Sequence, residues 1–134
     1  TGRPRGMEIM ILDTNAVSAL ADGDPALRTI LIRAMQHHLV PIVSGEYRYG
    51  LKRSRERVAR EQWLLELESC CAQLSITVET AQHYALIREE LRLAGHPIPE
   101  NDIWIAALAR EFDLEIISRD SHFDFVSGLK RVSW

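Results

Sequence analysis

Cysteine is scarce in this chain, which has two among its 134 residues, and Cys70 and Cys71 are adjacent. Adjacent thiols cannot cross-link distant segments, so a disulfide framework of the kind found in small secreted domains is excluded, and we expect a reducing, cytoplasmic setting. Long apolar runs are also missing, because no stretch of about 18 such residues occurs, and a membrane-spanning helix is therefore excluded. Seven glycines and five prolines are too few for a collagen-like or linker-like chain.

An excess of charge of one sign is also lacking. Sixteen basic and nineteen acidic residues give a formal net charge of −3, whereas a wholly basic nucleic-acid-binding surface would make the total positive. A cluster of carboxylates that binds cations would lower the total while a basic strip still faced a polyanion. The hydrophobic fraction of 46% is that of a folded protein. We expect residues 1–6 to be an expression-vector remnant and residues 7–134 to form a single domain.

Hydrophobic patterning predicts strands that alternate with helices. Residues 9–12 are four consecutive apolar side chains, which is typical of a parallel strand buried on both faces, here predicted over 8–13. Further strands are predicted at 40–43, 74–78, 114–118 and 130–134, and helices at 25–36, after Ser44, at 57–71, 79–94 and 102–112. This alternation predicts an α/β fold with a mainly parallel central sheet of four or five strands flanked by helices.

Four acids from distant segments fall at predicted strand ends or helix starts. They are Asp13 after the first strand, Glu46 in the opening turn of the helix after the second, Asp102 at the start of the most apolar helix, and Asp120 after a later strand. Ligands of open parallel sheets bind beyond the carboxyl ends of the strands, so these acids can converge on one rim. Each acid alone has an ordinary explanation as a helix cap, a first-turn acid or an Asx turn. Together, those explanations need four unrelated coincidences of placement.

Clustered carboxylates indicate a cation site. Like charges at close range repel and lose solvation, so such a cluster stays ionised only with compensating cations. Mg²⁺ and Mn²⁺ prefer carboxylate and water oxygens, whereas the CxxC or HxxxH spacings that suit zinc are absent from the chain. An ion held by carboxylates can activate water and neutralise phosphoryl charge, and a second ion about 3.5–4 Å away can stabilise the leaving oxygen. The expected chemistry is therefore phosphodiester hydrolysis.

Four short motifs carry a family resemblance. They are Ile-Leu-Asp-Thr-Asn at 11–15, Glu-Tyr-Arg-Tyr-Gly at 46–50, Asn-Asp-Ile-Trp-Ile-Ala-Ala at 101–107 and Ser-Arg-Asp-Ser-His-Phe at 118–123, closing on Gly-Leu-Lys at 128–130. In this order and at these separations, the motifs resemble the PIN-domain nucleases, and most closely the VapC toxins of bacterial VapBC toxin–antitoxin modules. The resemblance extends from Met7 to Trp134.

The resemblance implies a PIN-like three-layer fold and a Mg²⁺-dependent endoribonuclease in which Mn²⁺ substitutes, with one or two ions bound. The metal-binding acids would be Asp13, Glu46, Asp102 and Asp120. Ser118 matches the small hydroxyl position of the Ser-x-Asp loop, and Asn15 matches a polar residue that orients water or substrate. The resemblance also implies a homodimer, an RNA substrate, and a VapB-type antitoxin whose C-terminal segment lies along the acidic groove.

One position departs from the family pattern. Many relatives carry another Asp two residues after the fourth acid, where this chain has His122. We expect His122 to fix its loop and Asp124 to point outward rather than bind metal. Arg48 and Arg119 are candidates to contact a substrate phosphate or an antitoxin carboxylate.

The segment 52–60 carries five cations and one anion. It is either a strip that contacts the RNA backbone or a solvated face between helices. Tyr47 and Tyr49, which precede this segment, are expected to pack.

Other functions remain open from the sequence. A receiver-type signalling domain shares the small α/β fold, but it needs a lysine near the carboxyl end of the last strand. A phosphatase of the haloacid dehalogenase type needs Asp-x-Asp-x-Thr, whereas residues 13–15 read Asp-Thr-Asn. A catalytically silent protein that keeps the same fold to bind RNA or an antitoxin is a third alternative.

Overall fold

The computed structural model of the protein describes residues 9–33 and 36–134, so the predicted remnant at 1–6 lies outside the described residues. Within those ranges five strands alternate with six α-helices. The strands are β1 Ile9–Leu12, β2 Gln36–Leu39, β3 Ala72–Gln73, β4 Glu115–Ile117 and β5 Arg131–Val132. The helices are α1 Thr14–Ala21, α2 Pro25–Arg33, α3 Pro41–Leu51, α4 Arg57–Cys70, α5 Val78–Ala94 and α6 Glu100–Phe112, and a 3₁₀ turn at Ser121–Phe125 precedes β5.

All five strands pair in parallel, in the order β3-β2-β1-β4-β5. Met10, Ile11 and Leu12 of β1 are each no more than 1% exposed. Because successive strand side chains point to opposite faces, both faces of the sheet are covered, and the predicted three-layer α/β fold is confirmed. Strand β1 has β2 on one side and β4 on the other, so the order of the strands changes direction at β1. Such a point in a parallel sheet leaves a crevice at the carboxyl end of the strand.

Helix α6 lies in the core. Its residues from Ile105 to Ala109 are at most 1% exposed, because apolar side chains cover nearly its whole circumference. The helix packs against α5 and β4. Its first turn therefore meets the ends of the central strands, and a polar residue in that turn faces the crevice.

Two predicted strands are wrong in position. The second strand is β2 at Gln36–Leu39 rather than 40–43, because Pro41 begins α3, where its fixed φ suits a helix and its missing N–H is not needed. The strand predicted at 74–78 is also displaced, since β3 is Ala72–Gln73 and Val78 begins α5.

Two helix ends lie where capping residues in the sequence predict them, whereas two strands are displaced from the apolar segments that predicted them. Asp24 caps α2 as predicted, accepting a 2.9 Å hydrogen bond from the N–H of Ala26. Gly95, with a φ of 72°, ends α5 in the left-handed conformation. The predicted helix over 25–36 is wrong at Gln36, which begins β2, and residues 34 and 35 lie outside the described residues. In the described ranges, none of the helices is both long and apolar enough to cross a membrane.

Candidate metal centre

Asp13 lies directly beyond β1 and is 4% exposed. Its backbone N–H donates to the carbonyl of Ile117 at 3.1 Å, which extends the β1–β4 ladder by one residue. Its carboxylate does not cap α1; instead, Oδ2 accepts a buried 2.6 Å hydrogen bond from the Ser118 hydroxyl. Burial raises the pKa of Asp13, although the hydrogen bond from Ser118 opposes this shift.

A polar network joins the ends of β1 and β4 around Asp13. The side-chain amide of Asn15 donates to Ser118 Oγ at 3.2 Å and, more weakly, to Asp13 Oδ2 at 3.4 Å. The side-chain oxygen Oδ1 of Asn15 accepts a hydrogen bond from the backbone N–H of Arg119 at 3.2 Å. Ser118 Oγ also accepts from the backbone N–H of Asp120 at 2.9 Å. Ser118 therefore holds the acid after β1 and the loop that carries the acid after β4 in one arrangement.

Glu46 reaches the cluster from α3, which packs against α1. Because α3 begins at Pro41, Glu46 lies in the second turn, and its predicted place in the opening turn is wrong. The Thr14 hydroxyl donates to Glu46 Oε1 at 2.9 Å and orients the carboxylate. The charge of Glu46 contributes to the raised pKa of Asp13, so the two carboxylates interact electrostatically.

Asp102 lies in the first turn of α6, after the capping position of Pro99, and is 8% exposed. Burial raises its pKa to about 6, and the charges of Asp13 and Asp120 add to the shift, while a hydrogen bond with His122 opposes it. Asp13 and Asp120 are thus near enough to interact electrostatically with Asp102, as Glu46 and Asp120 do with Asp13. The close contacts within the cluster join Asp102 and Asp120 through His122, while Asp13 lies within electrostatic range of both and Glu46 within range of Asp13.

Asp120 follows β4 and caps the 3₁₀ turn, because its Oδ1 accepts from the backbone N–H of His122 at 2.9 Å. The His122 ring lies between two acids, with Nδ1 3.1 Å from Asp102 Oδ2 and 2.9 Å from Asp120 Oδ1. A loop-fixing role was predicted for His122, but its contacts with Asp102 and Asp120 were not. Its place two residues after the fourth acid is the feature of the sequence that could have indicated them.

The donor chemistry of the cluster fits a hard divalent cation. The four acids offer carboxylate oxygens, and their mutual charge and burial oppose ionisation at Asp13 and Asp102. Among residues 9–33 and 36–134, His122 is the one basic side chain that forms an ion pair with any of the four. A cation would relieve this repulsion, and Mg²⁺ or Mn²⁺ accepts these ligands.

The other predicted site residues have partners within the fold. Arg48 makes a two-pronged ion pair with Glu68, at 2.6 and 2.5 Å, that joins α3 to α4. The Arg119 guanidinium lies over the Trp134 ring at 4.6 Å. Contact of either arginine with substrate stays a prediction. Asp124 is turned outward and pairs with Arg131.

A groove of about 610 Å³ lies beside the cluster and includes Thr14 and Glu46 in its wall. Tyr49 also lines this groove and is 80% exposed, so its predicted packing is wrong, whereas Tyr47 is 7% exposed and packs as predicted. Beyond α3, the side chains of Lys52, Arg53, Arg55 and Arg57 are exposed.

The receiver-domain alternative lacks its lysine. Lys130 precedes β5 and pairs at 3.1 Å with Glu115, the first residue of β4. This pair lies at the amino edge of the sheet, opposite the four acids. Lys52, the chain's other lysine, follows the end of α3.

Comparisons with known proteins identify the family and the fold. The family model described as PIN domain matches residues 10–129. The chain is 28% identical over 131 residues to Ribonuclease VapC5 of Mycobacterium tuberculosis, covering 91% of this chain and 90% of that protein. Among solved structures, VapBC2 of Rickettsia felis bound to a DNA fragment from its promoter matches with a TM-score of 0.84 at 22% identity, covering 94% and 98% of the two chains. Mycobacterium tuberculosis VapC20, described as a Sarcin-Ricin loop cleaving toxin, matches with a TM-score of 0.70 at 15% identity, covering 92% and 98%. At these identities the structural likenesses establish the fold.

Proposed function

We propose, from the premise that this chain belongs to the PIN domain family, that it is the toxin of a type II toxin–antitoxin module. Its activity is metal-dependent endoribonucleolytic hydrolysis of RNA phosphodiester bonds, carried by one PIN-like domain over residues 7–134. The observation that carries the proposal is the contact of Asp102 and Asp120 through His122, with Asp13 close enough to interact electrostatically with both acids and Glu46 with Asp13. The similarity to a ribonuclease over nine-tenths of the chain supports it.

The residues that would hold the cation are Asp13, Glu46, Asp102 and Asp120. One or two Mg²⁺ ions, or Mn²⁺ in their place, fit this oxygen-rich set. When bound, a divalent cation supplies Lewis-acid activation of water and neutralisation of phosphoryl charge. Without a cation the cluster would repel a phosphodiester, since like charges in a partly buried site interact strongly.

The chain's own residues set the geometry of the reaction. Ser118 occupies one lone pair of Asp13 Oδ2 through its 2.6 Å hydrogen bond and leaves other carboxylate lone pairs for a ligand. Thr14 acts in the same way on Glu46. Because Asn15 bonds to both Asp13 and Ser118, its amide holds the pair in register. These neutral donors orient the carboxylates without removing their charge.

RNA would reach the acids along the groove lined by Tyr49. An exposed aromatic ring beside a cluster that acts on phosphodiesters can stack an unpaired base, as proteins that read single-stranded RNA do. The exposed cations that follow α3, at 52–57, would contact phosphates and make binding depend on salt.

The partners we propose are a VapB-type antitoxin and a second copy of this chain, in the cytoplasm. The exposed apolar side chains Val78, Leu86 and Leu93 of α5 support a protein contact, since their spacing places them on one helix face. Light scattering of the purified protein tests the dimer, and a monomer at micromolar concentration would contradict it.

The test is cleavage of single-stranded RNA in the presence of Mn²⁺. We expect wild-type protein to cut internally, to leave 5′-phosphate and 3′-hydroxyl ends, and to stop when EDTA is added. The Asp13→Asn, Asp102→Asn double variant is the control for a contaminating nuclease. Cleavage that survives EDTA or the double substitution would contradict the proposal.

A further inference from the structure

The His122 imidazole occupies the space between two of the acids. Its Nδ1 is 3.1 Å from Asp102 Oδ2 and 2.9 Å from Asp120 Oδ1. One ligand atom from each of the three residues lies within 4.8 Å of the others. Ligands about 2.1 Å from a shared ion stand no more than about 4.2 Å apart, so a shift of about half an ångström would let all three atoms contact one ion.

The backbone of His122 is held beside the acids. The N–H of His122 donates to Asp120 Oδ1 at 2.9 Å, which closes the 3₁₀ turn under the imidazole. The next residue, Phe123, is 1% exposed and anchors the turn in the core. The side chain of His122 keeps 42% of its surface exposed, so the side of the ring away from Asp102 reaches solvent. A proton on Nε2 can therefore be hydrated while Nδ1 faces the acids.

We propose that Nδ1 of His122 is a ligand of the divalent cation held by Asp102 and Asp120, so that this part of the centre is a nitrogen–oxygen site. The inference rests on the proposed function for the presence of the cation, and it adds a ligand outside the four acids. In this state the imidazole is neutral with its proton on Nε2, and a proton that Nδ1 carries in the metal-free protein passes to solvent when the cation binds.

The consequence is a shift in metal preference. Both ions prefer oxygen ligands, but Mn²⁺, as a first-row transition ion, accepts an imidazole nitrogen more readily than Mg²⁺ does. A chain with histidine here therefore favours Mn²⁺ over Mg²⁺ more strongly than the same chain with aspartate. Because the side chain is partly exposed, His122→Asn and His122→Asp are compatible with the turn, whose closing hydrogen bond uses only the backbone of residue 122.

The experiment is pulsed electron paramagnetic resonance of Mn²⁺ bound to the protein without RNA. Imidazole nitrogen bonded to Mn²⁺ gives a ¹⁴N modulation that carboxylates and water do not give. We expect this modulation in the wild type and in His96→Asn, a control histidine that stacks on Phe125 outside the cluster. We expect His122→Asn to lose the modulation and to bind Mn²⁺ about tenfold more weakly by calorimetry.

The companion variant His122→Asp tests the preference of the site for Mn²⁺ over Mg²⁺. We expect its ratio of Mn²⁺ to Mg²⁺ affinity to fall below that of the wild type, without the nitrogen signal. Mn²⁺ bound to wild type with no ¹⁴N modulation and with affinity unchanged in His122→Asn would overturn the ligand proposal while leaving the carboxylate site intact. Failure of the wild type to bind Mn²⁺ at all would overturn the ligand proposal and the metal-dependent function together.

Discussion

Two pairs of acids meet at the carboxyl edge of the sheet, and different chemistry holds each pair. Asp13 and Glu46 form a hydroxyl half, in which Ser118 and Thr14 each donate one short hydrogen bond to a carboxylate. A hydroxyl is neutral at any physiological pH, so these two donors keep their hydrogen bonds across that range. The fold therefore orients both carboxylates before any cation binds.

Asp102 and Asp120 form an imidazole half, in which His122 lies within hydrogen-bond distance of both carboxylates. An imidazole gains and loses a proton near neutral pH, and only the neutral ring can bind a cation beside these oxygens. The contrast teaches that the cluster has a fixed half that positions a ligand and an adjustable half whose state depends on protons and metal.

The largest expected effect comes from removing one acid from each half. In separate proteins, Asp13→Asn and Asp102→Asn should each lower RNA cleavage by about 10²–10³-fold, since a metal ion supplies several kcal/mol of transition-state stabilisation. The measurement is kcat/KM with Mn²⁺ on a short RNA. Asp124→Asn, which alters an outward-facing acid paired with Arg131, is the matched control. If either site variant cleaved RNA at the wild-type rate, the acid that it alters would not be needed for cleavage.

The next effect separates positioning from charge in the hydroxyl half. Ser118→Ala removes the donor to Asp13 and leaves the N–H of Asp120 without its acceptor. We expect Mn²⁺ affinity to fall by about 10–100-fold, as for other residues that orient metal ligands, and we expect Ser118→Thr to restore most of it. If Ser118→Ala binds Mn²⁺ as tightly as the wild type does, the hydrogen bond from Ser118 does not contribute to metal binding.

A smaller effect concerns stability and pH in the imidazole half without metal. Burial raises the pKa of Asp102 to about 6, and the hydrogen bond to Asp102 raises the pKa of His122. Both groups bind protons more tightly in the folded than in the unfolded protein. The free energy of unfolding therefore falls as the pH rises from 3.8 to about 6, where Asp102 titrates, and falls further above 6.5 as His122 loses its proton.

The substitution Asp102→Asn tests this pH dependence. In EDTA at pH 7 it should raise the free energy of unfolding by about 1–2 kcal/mol and flatten the slope, because each pKa unit corresponds to about 1.4 kcal/mol. Urea unfolding at several pH values measures both quantities. A wild-type protein that becomes more stable towards pH 7 in EDTA would reverse the expected sign.

The smallest expected effect lies outside both halves. Arg48 and Glu68 form a partly exposed pair between α3 and α4, and such pairs contribute about 0–1 kcal/mol. We expect Arg48→Ala to lower stability by no more than that, and the KM for RNA tests the predicted contact of Arg48 with substrate. The partner variant Glu68→Gln removes the same ion pair but keeps the arginine, so it separates the effect on stability from an effect on RNA binding. A raised KM in Arg48→Ala alone would assign the arginine to substrate, as its sequence position first indicated.

The location of the acids could be predicted from the sequence because it follows from a general property of parallel sheets. Asp13 directly follows an apolar strand, and Asp102 begins an apolar helix, so neither placement needs tertiary information. Even with β2 misplaced, Glu46 was assigned to the correct helix. A shift of a few residues along α3 moves it by one turn without taking it from the crevice.

The remaining features depended on contacts that no local pattern encodes. β2, Gln36–Leu39, carries three polar side chains and becomes a strand because β1 and β3 pair with it on either side. The apolar run that follows it is helical because of Pro41. Likewise, the meeting of His122 with Asp102 depends on how the 3₁₀ turn packs over α6, which sequence spacing does not specify.

The most direct test of the central claim is anomalous diffraction at the manganese edge from crystals soaked in Mn²⁺. We expect an anomalous peak among the carboxylates of Asp13, Glu46, Asp102 and Asp120, and its loss from Asp13→Asn, Asp102→Asn crystals soaked in the same way. Manganese peaks elsewhere on the protein, with none among these four side chains, would contradict the claim.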